Sequence, residues 1–165
     1  MRIEPLLASL WHALTRRVAI ASGRTWGAGA DIVTACDIRV ACATTRFRFP
    51  GAGFGIVLGT RRLAERIGED SARWWVNNSI EVVAAGAQAA RLITDLVAPE
   101  DQHAWISDRL RQPATPPSVI PALHRASRRD LRDVDLSSLV RSAVIPGLRR
   151  RIGSYAARGR KEASS

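Results

Sequence analysis

Residues 23–37 read GRTWGAGADIVTACD, and the rest of the chain is organised around this stretch. Short apolar runs at residues 18–21 and 38–42 flank it, and each suits a buried strand. Gly27 and Gly29 allow the backbone to turn tightly and to approach a ligand without a Cβ in the way. Apolar residues at helical spacing follow the glycines. The stretch therefore predicts a strand, a glycine turn and the N-terminus of a helix.

The predicted helix N-terminus is a candidate ligand site. Its first amide N–H groups have no intrahelical acceptor and lie at the positive end of the helix dipole, so they suit an oxyanion, a phosphate or a carboxylate. Asp31 lies in the first turn. The residues alone leave two roles open for it: a catalytic carboxylate, or an acid that only complements the dipole.

The composition is that of one ordinary globular domain. The chain has 165 residues, of which 46% are hydrophobic and 24% charged, and it can bury a substantial core. Its formal charge of +10 would suit nucleic acid, but the arginines are scattered, Lys161 is the only lysine and no nucleic-acid motif is present. We therefore expect no nucleic-acid partner. The charge either attracts an anionic ligand or reflects a bias toward arginine.

Cysteine and histidine spacing argues against a metal site. Cys36 and Cys42 lie in apolar runs without C-x-x-C spacing, and the histidines show no ligand spacing. The two cysteines are typical of small buried side chains in a reducing compartment, so we expect a cytoplasmic protein. No apolar run approaches the roughly 20 residues of a membrane helix, so we expect no membrane partner.

Residues 1–98 hold all the predicted strands. Apolar spacing predicts a helix over residues 3–14, and alternation predicts a strand within residues 44–49. The glycines of residues 50–55 predict a loop that lies beside the first glycine turn. Further elements are predicted as follows: a helix over residues 69–76, an extended piece at 79–83, a helix over 84–91 and an apolar strand within 92–97.

A basic helix is predicted over residues 59–67. Leu63, Ala64 and Ile67 would face inward, and Gly68 would end the helix. The charged side chains would face solvent, and they are Arg61, Arg62, Glu65 and Arg66.

Residues 99–165 form a predicted C-terminal helical region with a basic tail. Helices are predicted over residues 100–111, 119–127 and 136–144, with a proline-rich hinge at 113–117. The arginine-rich tail that begins at Arg149 is predicted to be a solvated end.

Short motifs follow one another between residues 18 and 97 in a distinctive order. They are Val18-Ala19-Ile20-Ala21-Ser22-Gly23, Gly27-Ala28-Gly29-Ala30-Asp31, Ala35-Cys36-Asp37-Ile38-Arg39-Val40-Ala41, Phe47-Arg48-Phe49-Pro50, Gly55, Gly59, Arg62-Leu63, Ile67-Gly68 and Leu92-Ile93-Thr94-Asp95-Leu96-Val97. In order and nearly in register they resemble the enoyl-CoA hydratase/isomerase (crotonase) family, including its Gly-Gly-Gly-x-Glu turn and its Phe-x-x-Pro-Glu segment. The resemblance implies an α/β fold with a crotonase-like spiral β-sheet core, of which residues 1–98 would form part.

The resemblance also implies a ligand and a chemistry. The ligand would be an acyl-CoA thioester, with coenzyme A as part of the substrate and no separate cofactor. The amide N–H of Ala28 would donate to the thioester oxygen and stabilise an enolate, an interaction worth roughly 3 kcal/mol per donor. Asp31 would be the catalytic carboxylate. The substrate-binding residues would be Gly27, Gly29, Phe49, Gly51, Phe54 and Leu58. For the three apolar side chains, those of Phe49, Phe54 and Leu58, ordinary core is the alternative, and burial of large apolar side chains favours it.

Gly51 departs from the family pattern. Hydratases of the family use two glutamates for proton transfer, and Gly51 stands in the place of the second. We therefore expect weak hydratase activity, and either double-bond isomerisation or another enolate reaction that needs one acid. The alternative is a non-catalytic paralogue that binds coenzyme A or serves as an assembly module.

Further features of the family apply to the chain ends and the interface. Relatives carry strands ahead of the position of Arg16, including one that supplies a second oxyanion N–H, whereas a helix stands there in this sequence. The resemblance thus implies a member without the N-terminal part. It also implies a homo-oligomer, a trimer or a hexamer, with residues 119–155 as the interface. Arg91 stands where the family usually has glycine.

Overall fold

The computed structural model describes residues 2–111 and 115–162. Its helices are α1 (Ile3–His12), α2 (Ala28–Ala35), α3 (Thr60–Ile67), α4 (Glu69–Asn78), α5 (Ala84–Ala89), α6 (Gln102–Arg111), α7 (Ile120–Ser127), α8 (Arg132–Ala143) and α9 (Leu148–Glu162). Its strands are β1 (Val18–Ala21), β2 (Arg24–Trp26), β3 (Ile38–Ala41), β4 (Arg46–Arg48), β5 (Val82–Val83) and β6 (Asp95–Leu96). Short 3₁₀ turns lie at Pro50–Phe54, Pro99–Asp101 and Pro117–Val119.

The strands form two small sheets. In the first, β3 lies between β1 and β6, and both pairings are parallel. In the second, β4 pairs in parallel with β2 and antiparallel with β5. Strands β1, β3 and β4 confirm the sequence prediction. Strand β2 was not predicted: Gly23, with φ of +58°, turns the chain out of β1 and allows the next three residues to pair with β4.

Two apolar clusters hold the helices on the sheets. The larger one contains Phe47 of β4, Leu63 of α3 and Leu92, all fully buried. The smaller one joins α1 to α2 through Leu7 and Trp11. Helix α1 thus lies against the helix that carries the predicted site.

The prediction for α3 is wrong at Arg62. This side chain was expected to face solvent, but it is fully buried between α1 and α8. The reason is electrostatic, because Glu4 of α1 and Asp135 of α8 supply carboxylates on that side of the helix. The predicted stop at Gly68 is confirmed, since Gly68 has φ of +85° and its N–H donates to Ala64 O.

Most described side chains of the basic tail are exposed, as predicted for a solvated end, but the tail is a helix with one packed face, which was not predicted. Residues 148–162 form α9, and this helix packs on the 3₁₀ turn Pro50–Phe54. Its Tyr155 ring lies 5.2 Å from the ring of Phe54, and Arg151 Nε donates to Phe54 O at 2.9 Å. The predicted helices at 100–111, 119–127 and 136–144 are confirmed as α6, α7 and α8. Part of the predicted hinge, residues 113 and 114, lies outside the described residues.

The strands all lie between residues 18 and 96, and every element after Pro99 is helical. A boundary at residue 98 between a core and a helical region stays a prediction. Within residues 2–111 and 115–162, no helix combines the length and the apolar character needed to cross a bilayer.

Candidate active site

A cavity of about 330 Å³ lies at the N-terminus of α2. Its walls come from α1, α2, α3, α4, α9 and the segment that includes the turn Pro50–Phe54. The lining residues are Ile3, Gly27, Ala28, Asp31, Phe49, Gly51, Ala52, Phe54, Ile56, Leu58, Thr60, Val76, Leu148 and Ile152. Seven of the eight residues that the sequence predicted for the site therefore lie on one cavity, and Gly29 does not.

Gly27 makes the turn between β2 and α2. It has φ of +54°, a conformation that favours glycine, and its N–H donates to Arg48 O at 2.9 Å. This hydrogen bond places the first glycine turn beside the second glycine-rich segment, as predicted. Gly29 lies inside α2 without a positive φ, and a Cβ there would meet only Thr25 at 3.9 Å, so its backbone does not require glycine.

The amide of Ala28 is the first N–H of α2. No acceptor in the described part of the chain receives it, and the same holds for the N–H groups of Gly29 and Ala30. The Asp31 N–H is the first in the helix to find an acceptor, Gly27 O at 3.0 Å. Ala28 lines the cavity. Of the three N–H groups without an acceptor at this positive end of the helix, that of Ala28 belongs to a residue of the cavity wall and is available to a ligand there.

Asp31 faces the same cavity from the first turn of α2. Its side chain is only 6% exposed and makes no hydrogen bond with the described residues. Burial raises the pKa of this carboxyl to about 8, with Arg62 lowering it and Glu4 raising it further. Asp31 is thus mostly protonated at neutral pH and can both donate and accept a proton near that pH.

Gly59 leaves room for Asp31. It precedes α3 with φ of +66°, and a Cβ at this position would collide with the Asp31 carboxyl. Any larger residue at position 59 would displace the carboxyl from the cavity wall.

Two buried arginine contacts lie behind Asp31. Arg62 Nη1 donates to Glu4 Oε2 at 3.1 Å, and Arg62 Nη2 lies 3.0 Å from Asp135 Oδ2. Arg61 binds the same aspartate, with Nε at 2.8 Å from Oδ1. This network could not be predicted from local sequence patterns, because Glu4 and Arg62 are 58 residues apart.

Gly51 occupies a tight turn. An ideal Cβ on this residue would lie 3.0 Å from Ile56 O, and the Ile56 N–H donates to Gly51 O at 2.9 Å. A carboxylate side chain at position 51 would therefore need the turn to widen.

The remaining walls of the cavity are apolar. Phe49, Phe54 and Leu58, which the sequence left open between pocket and core, all line it. Leu148 and Ile152 of α9 were missed, although with Tyr155 they are spaced at i, i+4 and i+7, a pattern that indicates one helix face. No group of three His, Cys, Asp or Glu side chains in the described ranges could hold a metal ion.

Comparison with known proteins gives one consistent set of relatives. The family model for enoyl-CoA hydratase/isomerase matches residues 3–142. Among curated proteins, the chain is 28% identical over 119 residues to an ethylmalonyl-CoA decarboxylase from Bos taurus, and 34% identical over 82 residues to a 2,3-dehydroadipyl-CoA hydratase from Escherichia coli. These matches cover 66% and 48% of this chain.

Solved structures of enoyl-CoA hydratase/isomerase proteins have the same fold as this chain. A Bordetella parapertussis protein, described provisionally as an enoyl-CoA hydratase/isomerase, superposes with a TM-score of 0.88 at 36% identity over 94% of this chain. An enoyl-CoA hydratase from Mycobacterium avium superposes with a TM-score of 0.80 at 20% identity. The chain spans 38% and 32% of the length of the two curated relatives, and 66% and 68% of the two solved ones.

Proposed function

The chain belongs to the enoyl-CoA hydratase/isomerase family, and from this premise we propose that its cavity binds an acyl-CoA thioester and stabilises the thioester enolate. The fold is the predicted crotonase-like α/β fold. In the proposed complex, the Ala28 N–H donates to the thioester carbonyl oxygen, and the acyl chain lies between the apolar walls. Coenzyme A enters as part of the substrate.

One observation carries this proposal: a free helix-terminal N–H and a buried carboxyl share one apolar cavity. Negative charge that moves onto the thioester oxygen would meet the Ala28 N–H in a water-poor site, where a preorganised donor is most effective. The ionised Asp31 would remove a proton from the acyl chain, and the resulting acid would return it to another carbon, which shifts the double bond. A pKa of about 8 allows the carboxyl to do both near neutral pH.

We propose that hydration of a double bond is slow in this protein. Water addition in hydratases of the family needs a second carboxylate, and Gly51 has neither the group nor the space for it. An assay with crotonyl-CoA tests this: we expect little hydration, and rapid turnover would contradict the proposal. Two other reactions need only a single acid: isomerisation of a double bond, and loss of carbon dioxide from a 2-carboxyacyl-CoA. Substrates for both reactions should be assayed beside crotonyl-CoA.

The decisive experiment measures the enolate itself. The protein is incubated with butyryl-CoA in deuterium oxide, and exchange of the hydrogens next to the carbonyl is followed by NMR. We expect exchange that increases with pH up to about 8 as Asp31 ionises. Asp31→Asn should slow it by about 100-fold or more, because the proton carrier is lost. Asp70→Asn, at a fully exposed site on α4, is the matched control and should change nothing.

The alternative function is a non-catalytic module that binds coenzyme A or a sister subunit, and the absence of a carboxylate at Gly51 favours it. Isothermal titration with several CoA esters separates the two. Binding without deuterium exchange, unchanged by Asp31→Asn, would support the module and contradict the enolate proposal. Deuterium exchange into the acyl group that is lost in Asp31→Asn would exclude the non-catalytic module.

Two further proposals concern the setting of the protein. We propose a homo-oligomer, a trimer or a hexamer, that uses the C-terminal helices. We also propose a reducing compartment such as the cytoplasm, because Cys36 and Cys42 are both free thiols and both buried.

A further inference from the structure

The most unusual feature outside the cavity wall is a buried ion pair between α1 and α3. Glu4 and Arg62 are 2% and 1% exposed, and two guanidinium nitrogens of Arg62 donate to the two carboxylate oxygens of Glu4. Removing two charges from water costs several kcal/mol per ion, and an apolar pair of the same size often stabilises a protein as well. Stability alone is therefore a weak reason for these charges.

The pair lies directly behind Asp31. Gly59, the residue that precedes α3, touches the Asp31 carboxyl, and Arg62 follows one turn later on the same helix. Glu4 approaches from α1, which packs on α2 through the cluster around Trp11. Both charges therefore lie close enough to act on the Asp31 carboxyl, with Arg62 favouring its ionised form and Glu4 opposing it.

Few other charges face Asp31. Asp135 of α8 lies 3.0 Å from Arg62 and is shared with Arg61, so it acts on Asp31 through the guanidinium. The other described residues that line the cavity are apolar, apart from Thr60, and they come from α1, α2, α4, α9 and the segment around the turn Pro50–Phe54. The field at the Asp31 carboxyl is thus set mainly by the pair, and its two members act in opposite directions.

Arg62 also has one N–H group without a hydrogen-bond acceptor in the described residues. Its Nε–H is buried and finds no acceptor within the described ranges, although the other two nitrogens are bound. A guanidinium in this state can respond to a new negative charge nearby without breaking its contacts with Glu4. An Asp31 carboxyl that ionises during a proton transfer is such a charge.

We infer that Glu4 and Arg62 are positioning residues for the proton on Asp31: burial keeps the proton on this carboxyl, Arg62 favours its ionisation, and Glu4 offsets part of the effect of Arg62. The inference rests on the proposed function, in which Asp31 carries the proton. The expected result is that the two single substitutions change the titration of Asp31 in opposite directions.

The test is an NMR titration of the full chain labelled with ¹³C at the aspartate side-chain carboxyl, with Asp31→Asn used to identify the signal. Glu4→Gln keeps the size and one acceptor oxygen but leaves Arg62 less compensated, so Asp31 should ionise at a pH lower by about one unit or more. Arg62→Met removes the attraction and should move the midpoint upward. Glu65→Gln, which breaks the contact with Arg61 on the same helix, is the matched control and should leave the midpoint in place.

The outcomes separate the inference from the proposed function. An unchanged midpoint in Glu4→Gln, or midpoints that move in the same direction in both variants, would overturn the inference, since a purely structural pair predicts no opposite shifts. If Arg62→Met does not fold, Glu4→Gln decides alone. The titration needs no turnover, so opposite shifts in a protein that exchanges no acyl-CoA hydrogens would reject the proposed function and keep the inference.

Discussion

Arg91 is one of two non-glycine residues with positive φ in the described chain, at +65°, and it ends α5. The sequence showed an arginine where the family usually has glycine and offered no reason for the glycine. The backbone conformation explains the glycine, because a residue with a Cβ is strained at this positive φ and glycine is not. Two hydrogen bonds hold Arg91 in this conformation. Its N–H donates to Gln88 O, and the Arg39 guanidinium donates to its carbonyl oxygen.

Arg91→Gly should therefore stabilise the protein. The relief of left-handed strain is worth about 1–2 kcal/mol, and the greater freedom of glycine in the unfolded chain cancels about 0.5–1 kcal/mol of it. We expect a net gain of up to about 1.5 kcal/mol in the free energy of unfolding, measured with urea. Arg91→Ala keeps the Cβ and loses the same side chain, so an equal gain in that variant would contradict the explanation.

Asp31 should make stability depend on pH. Its pKa is 3.8 in its ordinary state and about 8 in the folded protein. Below pH 3.8 the Asp31 carboxyl is protonated in both the folded and the unfolded protein, so it adds no pH dependence to the free energy of unfolding. Between the two values only the folded state holds the proton, so rising pH favours unfolding by up to about 1.4 kcal/mol per pH unit.

Unfolding of the wild type and of Asp31→Asn at several pH values measures this contribution. The asparagine cannot titrate, so we expect the variant to gain stability relative to the wild type as pH rises from about 4 to about 8. Asp70→Asn controls for the loss of a carboxylate at an exposed site. A constant difference between Asp31→Asn and wild type across this range would show that Asp31 titrates normally.

At the scale of elements, the sequence predicted most of the helices and the parallel strands because their apolar spacing is regular. It predicted Ala28, Asp31 and their neighbours because glycines mark the turn that presents them. It failed for α9, where arginines dominate the composition and hide the spacing of Leu148, Ile152 and Tyr155. It also failed for the orientation of Arg62, because the carboxylates that bury this side chain come from distant elements.

Helix α9 is held over the cavity by Arg151. Its guanidinium donates to the carbonyl oxygens of Phe54 at 2.9 Å and Ile145 at 3.3 Å, and it lies on Gly55, where a Cβ would come within 3.2 Å of two of its nitrogens. Each neutral or charge-assisted hydrogen bond of this kind contributes about 0.5–3 kcal/mol. Arg151 thus connects the end of the chain to the turn that carries Gly51.

Arg151→Met should loosen α9 without unfolding the core. We expect faster hydrogen exchange at the amides of α9 and weaker binding of long acyl-CoA esters, because Leu148 and Ile152 would no longer close the cavity. Arg149→Met, an exposed position two residues earlier, is the matched control. Equal exchange rates in the two variants would mean that the contacts of Arg151 do not hold the helix.

At the scale of the whole molecule, α8 leaves an apolar face uncovered by the described residues. Leu136, Val140 and Val144 follow one another at i, i+4 and i+8 along α8 and its end, and Val144 is 71% exposed, whereas Leu139 on the adjoining side of the helix is fully buried. A contiguous exposed stripe of this kind is typical of an interface. It lies within residues 119–155, the region from which the resemblance implied contact with a neighbouring subunit.

The stripe on α8 should therefore control the oligomeric state. We expect light scattering after size exclusion to give the mass of a trimer or a hexamer, and the double variant Val140→Asp/Val144→Asp to give a monomer, because burying two carboxylates in an apolar contact is costly. Val83→Asp, at a similarly exposed valine on β5, controls for added charge and should keep the oligomer. A soluble wild-type monomer, or an oligomer that survives the double substitution, would place the interface elsewhere or remove it.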